Sequence, residues 1–209
     1  MHSKNTIIID LSEVIISGIM GIERQLSSRL QLPQEHVRSI VFGDPLHMLF
    51  RGRITENRYL ESIAITNQWD ISLDEMKEII RSHFHRKVPG MIEFLPQLAE
   101  NASLILHSDH AREWIKYIWD IYSFWDIFDA TYFSFELGHE KSDVSTYRIL
   151  LGKIGKRHSE CVFIDDNSLN VETAQNFGID SLLFVSASQL RMDLSHLFPK
   201  LKDSWTMRA

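Results

Sequence analysis

The chain has 209 residues, 44% of them hydrophobic, and a formal net charge of −6. That length buries a substantial core and allows one domain with a sizeable insertion or two small ones. The acidic balance, without runs of like charge, offers no footprint for nucleic acid or an anionic membrane surface, and the single cysteine, Cys161, excludes an intramolecular disulfide or a thiolate zinc site.

The chain opens with "MHSKNTIIID", whose apolar run is too short for a signal-peptide core. No later stretch approaches a membrane span, so a reducing, cytoplasmic setting is expected. The run at 6–9 reads as a buried strand ending at Asp10, where a phosphate-transferring enzyme keeps a nucleophile. Two residues later stands Ser12 in place of a second carboxylate.

From about residue 19 to 85 every signal is helical. Pro33 opens "PQEHVRSIVF", Thr55 precedes "ENRYLESIAI", and Ser72 with Glu75 forms a capping box before "MKEIIRSHF". The expected organisation is an α/β core from 1–16 and 89–209, with a helical domain, 17–88, inserted after strand one. Such an insertion lies beside the carboxyl ends of the strands, where a lid belongs.

Further strands are expected at 103–107, 130–133, 161–164 and 181–185, with helices at 111–119, 144–154 and 169–177 between them. The alternation predicts a doubly wound parallel sheet of Rossmann-like type. The aromatic stretch "WIKYIWDIYSFWDIFD" places Trp114, Ile115, Ile118, Trp119 and Tyr122 at helical spacing, which predicts a face against the sheet. It holds more aromatics than one face needs, so part is expected on the surface, and both a monomer and a homodimer remain open. His83 and His85 are read as surface residues, and His107, His110 and His139 as structural neighbours of the strand ends.

The strand ends form one set. Asp10, Ser108, Asp165 and Asp166 close three strands, and Lys141 lies in "ELGHEKSD" after another. Three carboxylates, a hydroxyl and an ammonium at one crevice suit metal-assisted phosphoryl transfer to a carboxylate. Nucleophile and phosphate are both anionic, so a hard divalent ion on Asp10 and Asp165 is required between them. Lys141 would hold the phosphate as a point charge, Ser108 would donate to it, and Asp10 would form a transient aspartyl-phosphate.

In order, "IIIDLSEVI", "LILHSDH", "GHEKSD" and "CVFIDDNSLNVETAQNFGI" resemble the four motifs of the haloacid dehalogenase-like (HAD) hydrolase superfamily. The helical stretch resembles that family's C1-type cap, and "FRGRITENRYLESI" resembles the sugar-phosphate branch that includes alpha-D-glucose-1-phosphate phosphatases. The resemblance implies Asp10 as nucleophile, Ser108 and Lys141 as phosphate contacts, and Asp165 as a magnesium (Mg2+) ligand. Asp166 would be a second or outer ligand, the Ser12 backbone carbonyl another, and Asn170 a supporting residue near the substrate. The implied activity is hydrolysis of a small phosphorylated metabolite, such as a sugar phosphate.

Three departures from the family pattern bear on that activity. Ser12 replaces the aspartate that protonates the leaving group, a loss worth about 10²–10⁴-fold; Glu13, one residue on, is a candidate substitute. Ser142 stands where a proline is usual after Lys141, and is read as an N-cap for the next helix. Asp109 stands where an asparagine is common, and would repel phosphate unless turned away or joined to the metal. Arg51 and Arg53 flank a glycine and are either anion contacts or solvated charges. A 2-haloacid dehalogenase, which needs no acid, and a catalytically silent binding domain are the alternatives.

Overall fold

The computed structural model describes residues 4–198. Five strands, β1 (Thr6–Ile9), β2 (Ser103–Ser108), β3 (Ala130–Phe133), β4 (Cys161–Asp165) and β5 (Asp180–Leu183), form one all-parallel sheet in the order β3-β2-β1-β4-β5. Ile9 of the central strand is in register with Leu106 on one side and Ile164 on the other. Asp10 and Asp165 therefore follow side by side at the carboxyl edge, where the chain reverses its direction of winding and a crevice opens.

Both sheet faces are covered, which is why the strands read as continuous apolar runs. Ile7 and Ile9 point into one core; Ile8 points into the other with Ile105, Phe163 and Tyr147. Cys161 is buried in that second core, where burial pushes its thiol up to about 11 and leaves it chemically quiet.

Between β1 and β2 run α1 (Ile22–Leu30), α2 (Gln34–Val41), α3 (Asp44–Phe50), α4 (Glu56–Thr66), α5 (Leu73–Phe84) and the short α6 (Leu95–Ala99). The ends of the inserted segment are zipped together. Ser17 N donates to Arg86 O at 2.7 Å and Val88 N to Ile15 O at 2.9 Å, with Ile16 bridging Lys87. The remaining helices are α7 (Arg112–Ile121), the one-turn α8 (Ser134–Leu137), α9 (Val144–Ile154), α10 (Ser168–Asn176) and α11 (Ala187–Leu197). No helix among the described residues is long and apolar enough to cross a membrane.

The starts of α4 and α5 follow the local chemistry with one difference. Thr55 and Ser72 cap α4 and α5 by accepting from Arg58 N and Glu75 N. The expected capping box at Ser72 forms only by half, because the Glu75 carboxylate is drawn to the Arg29 guanidinium on α1.

Trp114 and His83 both differ from expectation. Trp114 is fully buried, but its ring packs against Phe50, Tyr59 and Phe84 of the inserted helices, and its Nε1 donates to Glu56 Oε1 at 2.8 Å. His83 is 2% exposed, not a surface residue, and its Nδ1 lies 2.7 Å from Arg86 Nη2. The inserted helices lie down on α7, so one apolar cluster runs from the sheet into the insertion and covers Trp114, whereas His83 is buried within the insertion, beside Gly21 and Arg86. His85, in contrast, is exposed beside the Tyr117 hydroxyl. Trp119 is 48% exposed and stacks on Trp125.

Candidate active site

Asp10, one residue beyond β1, is 4% exposed, and its Oδ1 accepts from Leu11 N at 2.7 Å. Its other oxygen, Oδ2, lies 2.7 Å from Lys141 Nζ. The same ammonium lies 2.6 Å from Asp165 Oδ2. Lys141 is 2% exposed, and it is brought here by the loop after α8, which turns at Gly138 with φ 74°. Burial works against the ammonium, but Asp10, Asp165 and Asp109 outweigh it and hold its pKa above the ordinary value.

Asp165 is fully buried and fixed from behind. Its carboxylate accepts from Asn167 N at 2.8 Å and from the Asn170 amide at 3.1 and 3.2 Å. Asn170 is itself held through its carbonyl by the Tyr147 hydroxyl. The supporting residue on α10 thus serves Asp165, and Asn167, which also caps that helix, is a second one that the sequence reading passed over.

Asp10, Asp165 and the more exposed Asp166 each offer an oxygen within 4.8 Å of the others. Burial, then the neighbouring charges of Asp165 and Asp166, raises the Asp10 carboxyl above its ordinary range, with Lys141 opposing. Three carboxylates against one ammonium leave an excess of negative charge, and an all-oxygen donor set of this kind fits a hard divalent cation.

Ser108 ends β2, fully buried, and its Oγ has no hydrogen-bond partner among the described residues. Buried hydroxyls are rarely left so, and an anion's oxygen would satisfy it. Asp109 resolves the concern over repulsion. Both its oxygens accept from Lys141 N, at 3.1 and 3.0 Å, and burial pushes its pKa up to about 7 against the pull of Lys141. It therefore grips the backbone of Lys141.

The residue after Lys141 is not the cap. Asp143 caps α9 by accepting from Ser145 N at 2.9 Å, and Ser142 sits in the preceding turn. A carboxylate one place further on wins because it is already braced by His139 Nδ1 at 2.7 Å. Glu13 lies in the crevice, but in a left-handed turn at φ 58°, with Oε1 held by Gly18 N at 2.8 Å.

Arg51 and Arg53 do not line the crevice. Arg51 Nε lies 2.7 Å from Glu140 Oε1, and Arg53 is exposed. Gly52 between them is needed for a close approach: at φ 68°, a Cβ there would stand 2.6 Å from Phe135 O. Glu140, only 4% exposed, also meets His47 Nδ1 at 2.7 Å through Oε2. Neither Glu140 nor His47 stood out in sequence, although a charged residue beside Lys141 was the available signal.

A cavity of about 350 Å³ opens above these groups. Its floor is polar, with Asp10, Lys141 and Asp166; its walls are apolar, from Ile19, Met20, Phe42, Leu46, Phe50 and Leu169.

The chain is 31% identical over 147 residues to the chloroplast flavin mononucleotide hydrolase 1 of Arabidopsis thaliana, a match covering 70% of this chain and 59% of that protein. The HAD family enzyme bt-2542 of Bacteroides thetaiotaomicron superposes with a TM-score of 0.78 at 20% identity, over 94% of this chain and 98% of that one. That enzyme has also been solved in complex with magnesium and inorganic phosphate. L-2-haloacid dehalogenase from Xanthobacter autotrophicus, with chloropropionic acid covalently bound, superposes at 0.66 and 15% identity, over 92% of this chain and 83% of that one. At such identities the structural likeness speaks for the fold. The family model described as haloacid dehalogenase-like hydrolase matches residues 5–184, and the chain belongs to that family.

Proposed function

We propose that the protein is a magnesium-dependent phosphatase of small phosphate esters, with Asp10 as nucleophile. The observation that carries this reading is the shared ammonium: Lys141 binds Asp10 and Asp165 at 2.7 and 2.6 Å, within a carboxylate trio at the carboxyl edge of the sheet.

Asp10 Oδ2, the oxygen beside the Lys141 ammonium, attacks, while Oδ1 is fixed by the backbone N–H of Leu11. It forms a bond to phosphorus as the ester P–O bond breaks, giving an aspartyl-phosphate. Water then attacks the same phosphorus and releases Asp10 and inorganic phosphate. Lys141 neutralises charge on the transferring group, and Ser108 donates to one of its oxygens. Asp10, Asp165, Asp166 and the Ser12 carbonyl would hold a magnesium ion, which supplies positive charge between nucleophile and phosphate. Asn167 and Asn170 keep Asp165 aimed, and Asp109 keeps Lys141 in place.

The inserted helices act as the cap and select the organic part of the substrate. Their apolar walls favour an ester bearing a planar or apolar group over a bare sugar, which asks for a polar partner at each hydroxyl. The Arabidopsis relative is named for hydrolysing flavin mononucleotide, a phosphate monoester carried by a planar ring system. The test is phosphate release from a panel of flavin, aryl and sugar phosphates, with magnesium and with EDTA. Turnover is expected only with magnesium, and best on the planar esters. Parental turnover by Asp10→Asn would refute the mechanism; halide release from 2-chloropropionate, insensitive to EDTA, would favour a dehalogenase.

A further inference from the structure

We propose that His47, oriented by Glu140, is the acid and base of this site, carrying from the inserted helices the proton that Ser12 cannot. The inference rests on the phosphatase reading and supplies the group it lacks.

His47, on α3, lines the cavity that contains Asp10. Its Nδ1 lies 2.7 Å from Glu140 Oε2, while Arg51 Nε holds the other oxygen at 2.7 Å. An ionised carboxylate only accepts, so Nδ1 carries a proton and Nε2 is the atom free to give or take one. A buried carboxylate behind an imidazole fixes its tautomer and stabilises the imidazolium, as in other carboxylate–histidine pairs. Glu140 and Lys141 are consecutive: one reaches His47, the other reaches Asp10. His47, Asp10 and Lys141 line the one cavity in which the phosphate would rest.

Other proton carriers around the cavity are engaged. Glu13 is tied to Gly18 N, Asp109 to Lys141 N, and Asp166 belongs to the carboxylate trio. The charges facing His47 are Glu140 with Arg51 behind it, Asp44 at the start of its own helix, and the cavity's Asp10, Glu13, Asp109, Lys141 and Asp166.

The proton balance closes. As Asp10 Oδ2 bonds to phosphorus and the ester P–O bond breaks, the Nε2 proton passes to the leaving oxygen, giving the alcohol and neutral His47. In the second step Nε2 takes a proton from water as the water oxygen bonds to phosphorus and the Asp10–phosphorus bond breaks. Imidazolium and free Asp10 are restored.

The test compares first-turnover release of alcohol from phenyl phosphate and p-nitrophenyl phosphate, in magnesium, for the parent, His47→Gln, Glu140→Gln and Asp10→Asn. p-Nitrophenolate leaves without a proton, whereas phenolate needs one. His47→Gln is expected to lose about 10²–10³-fold on phenyl phosphate while staying within about threefold on p-nitrophenyl phosphate. With p-nitrophenyl phosphate it should also accumulate phosphoenzyme, because the water that attacks it has lost its base. Glu140→Gln should show the same selectivity in weaker form. His47 is half exposed, so its variant should fold; circular dichroism checks this. Equal loss on both esters, or none, with Asp10→Asn silent, would overturn the role of His47 alone. Parental turnover by Asp10→Asn would overturn the phosphatase reading and this inference with it.

Discussion

Glu56→Gln tests how firmly the inserted helices are bound to the core. Glu56 starts α4, is 3% exposed, and gathers three elements. Its Oε1 accepts from Trp114 Nε1 at 2.8 Å and Arg81 Nη1 at 2.9 Å, and its Oε2 from Arg81 Nη2 at 2.8 Å. Glutamine keeps the shape and one acceptor, but sets an amide donor against a guanidinium donor. Breaking a buried pair costs about 3–5 kcal/mol, and because the Arg81 side chain is 23% exposed, water recovers part of this, leaving about 2–3 kcal/mol. With a urea slope of about 2–3 kcal/mol per molar, the unfolding midpoint should fall by about 1 M. The variant should still unfold in one transition, because a single apolar cluster runs through insertion and sheet. Urea titration followed by both tryptophan fluorescence and far-UV circular dichroism reads this. A loss under about 1 kcal/mol would refute the claim that this buried pair braces α4 against α5, and an early separate transition would refute the claim that insertion and sheet unfold as one unit.

Three more outcomes follow from the site and its surroundings. Asn170→Ala should weaken magnesium binding about 10–100-fold by calorimetry, since the amide that orients Asp165 is lost. Asp143→Ala should cost about 1 kcal/mol in chemical denaturation, and Ser142→Ala only a few tenths, because the cap is Asp143. His110, packed among Phe84 and Trp114, is pushed down to about 3 by burial. Above its unfolded value of about 6.5 it costs nothing, and as pH falls toward 3 the unfolded chain binds a proton the folded one refuses, draining about 2 kcal/mol by about pH 5. His110→Phe should remove that share of the acid sensitivity, read as the stability difference between pH 7 and pH 5, while His107, also pushed down to about 3 by burial, keeps its own.

Some parts of the molecule were plain in the chain because their signals are local. Buried parallel strands must be apolar on both faces, so the runs ending at Asp10, Ser108 and Asp165 were recognisable, and observed strand ends moved by only one or two residues. Thr55 and Ser72 announced their helices for the same reason: a cap needs only the next turn.

What depended on distant partners was not legible. Glu75 left its expected box because Arg29 approaches from another helix; Ser142 gave way to Asp143, braced by His139. His83 and Trp114 carry the same helical spacing whether they face solvent, sheet or insertion; the docking of the inserted helices on α7 decided it for Trp114, and packing beside Gly21 and Arg86 decided it for His83. His47 and Glu140 lie 93 positions apart and meet at 2.7 Å. Sequence by itself therefore determined the parallel sheet, the placing of the inserted helices and the chemical kinds collected at the strand ends, since periodicity and chain order encode them. Tertiary structure alone decided which of those side chains are held, which oxygen or nitrogen remains free, and what lines the cavity, because hydrogen-bond partners and burial are set by surfaces that meet only after folding.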